Sequence, residues 1–155
     1  MDIKIKCLSE TATMPAYAHE NDAGMDLYAD LHPLQEDIES EVESYCLINP
    51  HSAAMISCGF AIAIPEGYFG GIYARSGLAS KQSLRPANCV GVVDSSYRGE
   101  VMVALHNDSD EIQEIKHGQR IAQMLIQPVV SVTLEQVEVL DETERGNGGF
   151  GSSGK

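Results

Sequence analysis

Positive charge is scarce in this chain. Its 155 residues hold 10 Lys and Arg against 23 Asp and Glu, which gives a formal net charge of −13 at pH 7. Proteins that bind nucleic acids or anionic membranes rely on clustered cations, so this balance argues against both as partners. It still permits a small anionic ligand wherever a few cations are concentrated.

Large aromatic side chains are scarce as well, with no Trp, 3 Phe and 6 Tyr. The core must therefore be built from small aliphatic side chains, which contacts between subunits can supplement. A hydrophobic fraction of 43% with 21% charged residues is nevertheless ordinary for one folded domain. No run of ~18 apolar residues and no apolar signal-peptide core is present, which predicts a cytoplasmic, intracellular protein without a membrane segment.

Cysteine pairs with metal-binding spacing are also absent. Cys7, Cys46, Cys58 and Cys89 are spread along the chain with neither CxxC nor Cys/His spacing. The last three have apolar neighbours, among which cysteine acts as a small hydrophobic residue. We therefore expect reduced thiols that serve the packing.

The dominant pattern in the sequence is a period of two. Apolar residues alternate with other residues from Ile3 to Cys7, from Val101 to Leu105 and from Val130 to Leu134, and the alternation resumes at 137–139. Helical composition is confined to Ser76–Leu84. Short apolar runs predict further strands at 53–56, 60–64, 71–74, 90–93 and 121–126. Many short strands separated by turn residues favour an all-β sandwich or barrel.

Two segments interrupt this pattern. Residues 35–44 contain five acidic residues and no basic one, and we expect an exposed loop or edge hairpin there. The tail that starts at Arg145 has five glycines in eleven residues. Such a tail is disordered alone, but arginine, phenylalanine and glycine amides allow it to fold over a ligand. We therefore predict a β domain at 1–140 and a flexible arm at 141–155 that closes the site.

A candidate anion site follows the strand predicted at 71–74. Ser76 and Gly77 can present backbone amides at the start of the short helix, beside the guanidinium group of Arg75. Amides and a guanidinium group together can hold a phosphate. The same residues also fit a serine helix cap next to a surface arginine.

The segment 88–99 carries the most chemistry. Asn88 has both donors and acceptors and can read the edge of a nucleobase, while Gly91 allows a ligand to approach the backbone closely. Asp94 follows an apolar strand, and a carboxylate held near a phosphate can orient and deprotonate a water molecule. An ordinary β-turn led by the aspartate fits this segment equally well.

Two further polar segments are weaker signals. Asp22 and Asp26 are two carboxylates four residues apart at the start of a strand. Gln119 follows a turn and either donates to a phosphate or faces water.

Taken together and in order, five segments resemble the motifs of the trimeric dUTPase family. They are DAGMDLYA at 22–29, GIYARSGLA at 71–79, NCVGVVDSSYRGE at 88–100, HGQRIAQMLIQP at 117–128 and RGNGGFGSSG at 145–154. The resemblance implies a jelly-roll-like β subunit, a homotrimer with sites between subunits, and hydrolysis of dUTP to dUMP and pyrophosphate. It also implies Mg²⁺ carried on the triphosphate, and a role in lowering dUTP and supplying dUMP for thymidylate synthesis.

The resemblance assigns a role to each matching residue. It makes Asp94 the general base that activates water, and places Asp26 near the water shell of the metal. The other positions would bind substrate. Uracil would be bound by Asn88, by the backbone of Gly91, Val92 and Val93, and by Met102, and deoxyribose by Tyr97. The phosphates would be bound by Arg75, Ser76, Gly77 and Gln119, and the closing arm would contribute Arg145, Phe150, Gly151 and Ser152.

Two alternatives remain open at this point. A dCTP deaminase of the same fold superfamily would use Glu100 as a proton shuttle, although the tyrosine after Asp94 and the Phe-containing tail argue against it. A binding or regulatory module would use the acidic stretch 35–44 to contact a protein partner.

Overall fold

The computed structural model describes residues 1–31 and 45–149, and the acidic stretch 35–44 and residues 150–155 lie outside them. The described residues form ten strands and one helix. The strands are β1 Lys4–Cys7, β2 Met25–Tyr28, β3 Tyr45–Ile48, β4 Ala53–Ala63, β5 Tyr68–Tyr73, β6 Leu84–Pro86, β7 Gly91–Val93, β8 Glu100–Asn107, β9 Gln113–Lys116 and β10 Arg120–Pro128, and the helix α1 is Ser76–Gln82. No helix of the described residues is long and apolar enough to cross a membrane.

Two four-stranded sheets carry the architecture. One has the order β1-β4-β8-β6, the other has the order β2-β10-β5-β7, and β3 and β9 form a separate pair. Every pairing between these strands is antiparallel. The prediction of an all-β fold is confirmed, and so is the single short helix after β5.

Small aliphatic side chains fill the core, as the lack of aromatic residues predicts. Ile56 and Val103 come from the first sheet, Leu27 and Met124 come from the second, and all four are buried. The largest fully buried side chain is that of Phe60. Alternate residues along each strand point to opposite faces of its sheet, which is why period-two runs supply the core.

Strand β4 joins two apolar runs that the sequence suggests are separate strands. Its pairing with β8 shifts register between Ser57 and Ala61, and Gly59 within that shift has a φ of +69°. The space where a Gly59 side chain would lie is taken by the carboxylate of Asp30. Asp30 is buried and accepts hydrogen bonds from Ser9 (2.5 Å) and Thr11 (2.6 Å). The irregularity in β4 therefore anchors the N-terminal segment to the core.

The strands expected at 130–134 and 137–139 are not found. The last strand ends at Pro128, and residues 129–149 contain no strand. Val130 and Leu134 expose 84% and 90% of their surface. Alternation produces a strand only where a neighbouring strand supplies hydrogen-bond partners, and none of the described strands pairs with this segment.

The thiol of Cys58 lies in the same irregular part of β4 and is fully buried (0% exposed). Burial, and to a lesser degree the negative charges of Glu100 and Asp30, raise the pKa of Cys58 from 9.0 to about 12. The thiol is therefore protonated in the folded chain at neutral pH, in agreement with the expected packing role.

We expect this thiol to weaken the fold in alkali. Between about pH 9 and pH 12 the unfolded chain ionises Cys58 while the folded chain does not, so stability falls by up to about 1.4 kcal/mol per pH unit. Urea unfolding from about pH 8 to pH 10, at one fixed chain concentration, should show a steeper loss for the native chain than for Cys58→Ala. Parallel slopes in the two proteins would contradict the assigned pKa.

Candidate active site

Two clefts contain most of the residues that the sequence singles out. The first, which we call the β2–β5 cleft, has a volume of about 440 Å³ and lies where β2 begins and β5 ends. It is lined by Ala18, Asp22, Ala23, Gly24, Asp26, Arg75, Ser76, Gly77 and Gln123. The predicted anion site Arg75–Gly77 and the carboxylates of the first motif therefore share one cleft.

The carboxylate of Asp26 is held between two arginines. It is buried (7% exposed), and its Oδ1 accepts from Nε of Arg75 at 2.7 Å while its Oδ2 accepts from Nη1 of Arg120 at 3.2 Å. Two guanidinium groups thus share the carboxylate of Asp26, while the carboxylate of Asp22 also lines the cleft. Our sequence analysis missed Arg120, although it is the cation within the motif HGQRIAQMLIQP.

Gln123, rather than Gln119, lines the β2–β5 cleft. Gln123 faces Asp26 on β2 and Tyr73 on β5, and its Nε2 donates to the carbonyl oxygen of Ala74 at 2.9 Å. The side-chain oxygen of Gln119 instead accepts from the backbone N–H of Lys116 at 2.9 Å, in the turn between β9 and β10. A polar residue inside the apolar run 121–126 was the signal that could have identified Gln123.

The second cleft, which we call the β7–β8 cleft, has a volume of about 290 Å³. Six residues predicted from the third motif line it together with the predicted Met102: Asn88, Gly91, Val92, Val93, Asp94 and Tyr97. Its wall also contains Met55, Ile72 and Val101, which the sequence analysis did not assign to a site, and Glu100, which it considered only for the deaminase alternative. One cleft thus combines an amide that can read a base edge, a carboxylate and a phenol ring.

The turn between β7 and β8 positions Asp94 and Tyr97. The N–H of Tyr97 donates to the carbonyl oxygen of Asp94 at 3.1 Å, so the aspartate-led β-turn is present as well as the cleft. Arg98 closes the turn by donating to the carbonyl oxygens of Ser95 (2.7 Å) and Tyr97 (2.6 Å). The hydroxyl group of Tyr97 donates to the carbonyl oxygen of Glu100 at 2.8 Å.

The two clefts belong to opposite ends of β5. Gly70 pairs with Val93 and Ile72 pairs with Gly91, so Asp94 leaves the sheet beside the start of β5 whereas Arg75 follows its end. Extended chain rises ~3.3 Å per residue, which puts about 16 Å between the levels of Gly70 and Arg75. Asp94 of a chain is therefore remote from the Arg75 group of the same chain.

The C-terminal arm is described as far as residue 149. Arg145 lies in an exposed turn, and its Nε donates to the carbonyl oxygen of Gly148 at 3.0 Å. The predicted contacts of Phe150, Gly151 and Ser152 lie outside the described residues.

Comparison with known proteins decides the family. The family model described as dUTPase matches residues 10–154. The chain belongs to the dUTPase family. Two curated relatives are the deoxyuridine 5′-triphosphate nucleotidohydrolases of Clostridium tetani (43% identical, covering 99% of this chain and 97% of the relative) and Nautilia profundicola (44% identical, covering 100% of both).

Solved dUTPase structures share the fold. A dUTPase variant of Staphylococcus bacteriophage 80alpha, solved with dUpNHpp, is 30% identical, with a TM-score of 0.80 and coverage of 99% of both chains. A dUTPase variant from phage phi11 of S. aureus is 26% identical, with a TM-score of 0.75 and coverage of 92% of this chain and 100% of that chain. The phi11 structure is described as revealing the coordination of a structural Mg(II) ion.

In this member of the dUTPase family, we expect the buried carboxylate of Asp26 to contribute more to the free energy of unfolding than an exposed carboxylate that is also paired with arginine. Asp26→Asn should lower the free energy of unfolding by about 2 kcal/mol, because both arginines lose their counter-charge. The matched control is Asp108→Asn, since Asp108 accepts two hydrogen bonds from Arg85 (2.7 and 3.0 Å) on the surface.

Solvent weakens the control pair, so its loss should be clearly smaller. Urea unfolding at one chain concentration measures both values. Equal losses for the two variants would show that burial of Asp26 adds nothing.

Proposed function

We propose that the chain is a dUTP diphosphatase that hydrolyses dUTP to dUMP and pyrophosphate. The observation that carries the proposal is the β7–β8 cleft, in which Asn88, Asp94 and Tyr97 line one cavity on a dUTPase-family chain. In the cell this activity would lower dUTP and supply dUMP for thymidylate synthesis. It would act on the nucleotide pool of the cytoplasm.

The β7–β8 cleft would bind the nucleoside and activate water. The amide of Asn88 and the backbone of Gly91–Val93 supply donors and acceptors for the edge of uracil. The ring of Tyr97 would lie against deoxyribose and leave no room for a 2′-hydroxyl group. Asp94 is exposed to the cleft, and as general base it would take a proton from the water that attacks phosphorus.

The β2–β5 cleft would bind the phosphates. Phosphoanhydride hydrolysis depends mainly on positioning and on neutralising charge, because pyrophosphate is already a good leaving group. Arg75, the amides of Ser76 and Gly77, and the amide of Gln123 are the donors available there. Asp26 fixes the orientation of the Arg75 guanidinium group through its 2.7 Å contact. From the arm, Arg145, Gly151 and Ser152 would bind the terminal phosphates while Phe150 covers uracil.

The donor set fits Mg²⁺ that arrives on the triphosphate. Within residues 1–31 and 45–149 no three His, Cys, Asp or Glu side chains come together as a metal cage. Asp22 and Asp26 line the β2–β5 cleft, and each carboxylate retains acceptor sites for water ligands beyond its protein contacts. Mg²⁺ keeps several water ligands and is commonly held by substrate phosphates. When bound, it would neutralise phosphate charge and orient the chain of phosphates.

A homotrimer would bring the two clefts together. Asp94 and Arg75 lie at opposite ends of β5 in one chain, so a site that uses both needs residues from different subunits. The exposed apolar residues Val130, Val132 and Leu134 offer an apolar edge for burial against another subunit. The arm would then close a site on a neighbouring subunit.

A dCTP deaminase is disfavoured by the position of Glu100. Its carboxylate accepts hydrogen bonds from the hydroxyl group of Ser57 and from the N–H of Gly59 (3.0 Å). Both contacts use Oε1 and hold the irregular part of β4 in place, so this carboxylate is engaged by the fold although it also borders the β7–β8 cleft.

We expect Asp94→Asn to abolish turnover. A carboxylate base contributes roughly 10²–10⁴-fold, so pyrophosphate release from dUTP with Mg²⁺ should fall at least 100-fold while binding of dUpNHpp persists. Asp110→Asn, which removes an exposed carboxylate outside both clefts, is the matched control. A near-native rate in Asp94→Asn would refute the base assignment, and ammonia release from dCTP by the native chain would favour the deaminase.

Mixing two inactive chains tests the shared site. Asp94→Asn chains have an intact arm, and chains truncated before Arg145 have an intact Asp94. If the arm of one subunit completes a site that contains Asp94 of another subunit, a refolded mixture of the two chains should regain activity that neither chain has alone. A mixture that stays inactive, with both chains shown to assemble, would mean that each site is built within one chain.

A further inference from the structure

The residue after the Asp94 turn, Gly99, has Tyr97 where a side chain would be. A methyl group on Gly99 would lie 2.5 Å from the hydroxyl oxygen of Tyr97, 2.7 Å from its Cζ and 3.1 Å from its Cε2. Ordinary contacts between such atoms begin near ~3.5 Å. The phenol ring therefore folds back onto the bare backbone of Gly99.

Backbone geometry does not explain why glycine stands here. The described glycines with positive φ are Gly59, Gly67, Gly118 and Gly146, and Gly99 is not among them. Alanine can adopt a backbone of this kind without strain. The three atoms nearest to an added methyl group all belong to Tyr97, so the tyrosine ring is what the missing side chain accommodates.

The ring is held in this place from the other side as well. Its hydroxyl group donates to the carbonyl oxygen of Glu100 at 2.8 Å, and Arg98 holds the carbonyl oxygen of Tyr97 at 2.6 Å. The ring is still 44% exposed and forms part of the β7–β8 cleft wall. A methyl group at Gly99 would need about 1 Å more room, so the ring would have to leave its present position in the cleft wall.

We propose that Gly99 is a specificity-determining residue: its lack of a side chain seats the Tyr97 ring at the position from which it selects deoxyribose over ribose. The inference rests on the proposed function, in which Tyr97 excludes the 2′-hydroxyl group. Gly99 itself is a positioning residue, because it acts through the ring and touches no substrate.

The experiment measures kcat/KM for pyrophosphate release from dUTP and from UTP. Gly99→Ala should reduce the preference for dUTP over UTP at least tenfold. The kcat/KM for dUTP should fall because the displaced ring no longer fits deoxyribose, whereas the kcat/KM for UTP is already low because the ring excludes ribose. Ser96→Ala, a change in the same exposed turn with no side chain added toward the ring, should keep the preference within twofold. Tyr97→Ala should also reduce the preference, and adding Gly99→Ala to it should change kcat/KM less than twofold.

Two results would overturn the inference. In one, Gly99→Ala lowers both substrates equally, so that the preference is unchanged. In the other, Gly99→Ala costs as much in the Tyr97→Ala chain as in the native chain, which would show that it acts without the ring.

A second measurement separates this inference from the proposed function. If the native chain releases no pyrophosphate from dUTP, the proposed function fails. The effect of Gly99 on the position of the Tyr97 ring is then tested by NMR of chains with labelled tyrosine. The Tyr97 ring signals, identified by their loss in Tyr97→Ala, should shift in Gly99→Ala and stay in place in Ser96→Ala. Unshifted ring signals in Gly99→Ala would overturn the inference.

Discussion

The β2–β5 cleft depends on the ion pairs that the buried carboxylate of Asp26 forms with two arginines. Asp26 sits on β2, binds Arg75 beyond the end of β5 and binds Arg120 at the start of β10. One negative charge thus holds two positive charges at a corner shared by three strands. Removing a carboxylate and its hydrogen bonds from such a place leaves the remaining charges poorly solvated, which is costly in a low dielectric.

The same ion pairs reconcile the acidity of the chain with an anionic ligand. The formal charge of −13 describes the whole molecule, and a charge of this sign disfavours binding to an extended polyanion. Around Asp26 two arginines share one carboxylate, although Asp22 adds a second carboxylate to the lining of the cleft. The negative charge of the whole chain therefore does not prevent the cleft from offering cationic donors to an anion.

Local patterns in the sequence predicted the local structure well. The period of two identified the strands that fill the core, and the chemistry of segment 88–99 together with the family resemblance identified seven residues that share the β7–β8 cleft. The ion pair between Asp26 and Arg120 could not be predicted from local sequence, because it depends on the pairing of β2 with β10 and joins residues 94 positions apart. The position of Gln123 in the β2–β5 cleft was not predicted for a related reason: the motif contains both Gln119 and Gln123, and only the folded turn shows that the backbone already engages Gln119.

Segments without a partner in the chain were the other difficulty. The runs 53–56 and 60–64 are one strand, since a glycine with positive φ lets β4 pass through an irregularity without ending. Residues 130–139 show the reverse, a strand-like alternation with no described strand beside it. Sequence periodicity reports the capacity to pair, and the fold decides whether a partner exists.

The antiparallel pairing of β5 with β7 also constrains what an engineer could build. The C-terminal ends of two antiparallel strands point in opposite directions, and Arg75 and Asp94 follow the C-terminal ends of β5 and β7. Lengthening or shortening either strand therefore changes the distance between the two residues along the strand direction but does not place them at the same end of the sheet. If catalysis uses both Asp94 and Arg75, as proposed, substitutions on the surface would not convert this fold into a single-chain catalyst. Such a catalyst would require a second copy of one motif at the far end of the sheet, or several copies of the chain linked in tandem.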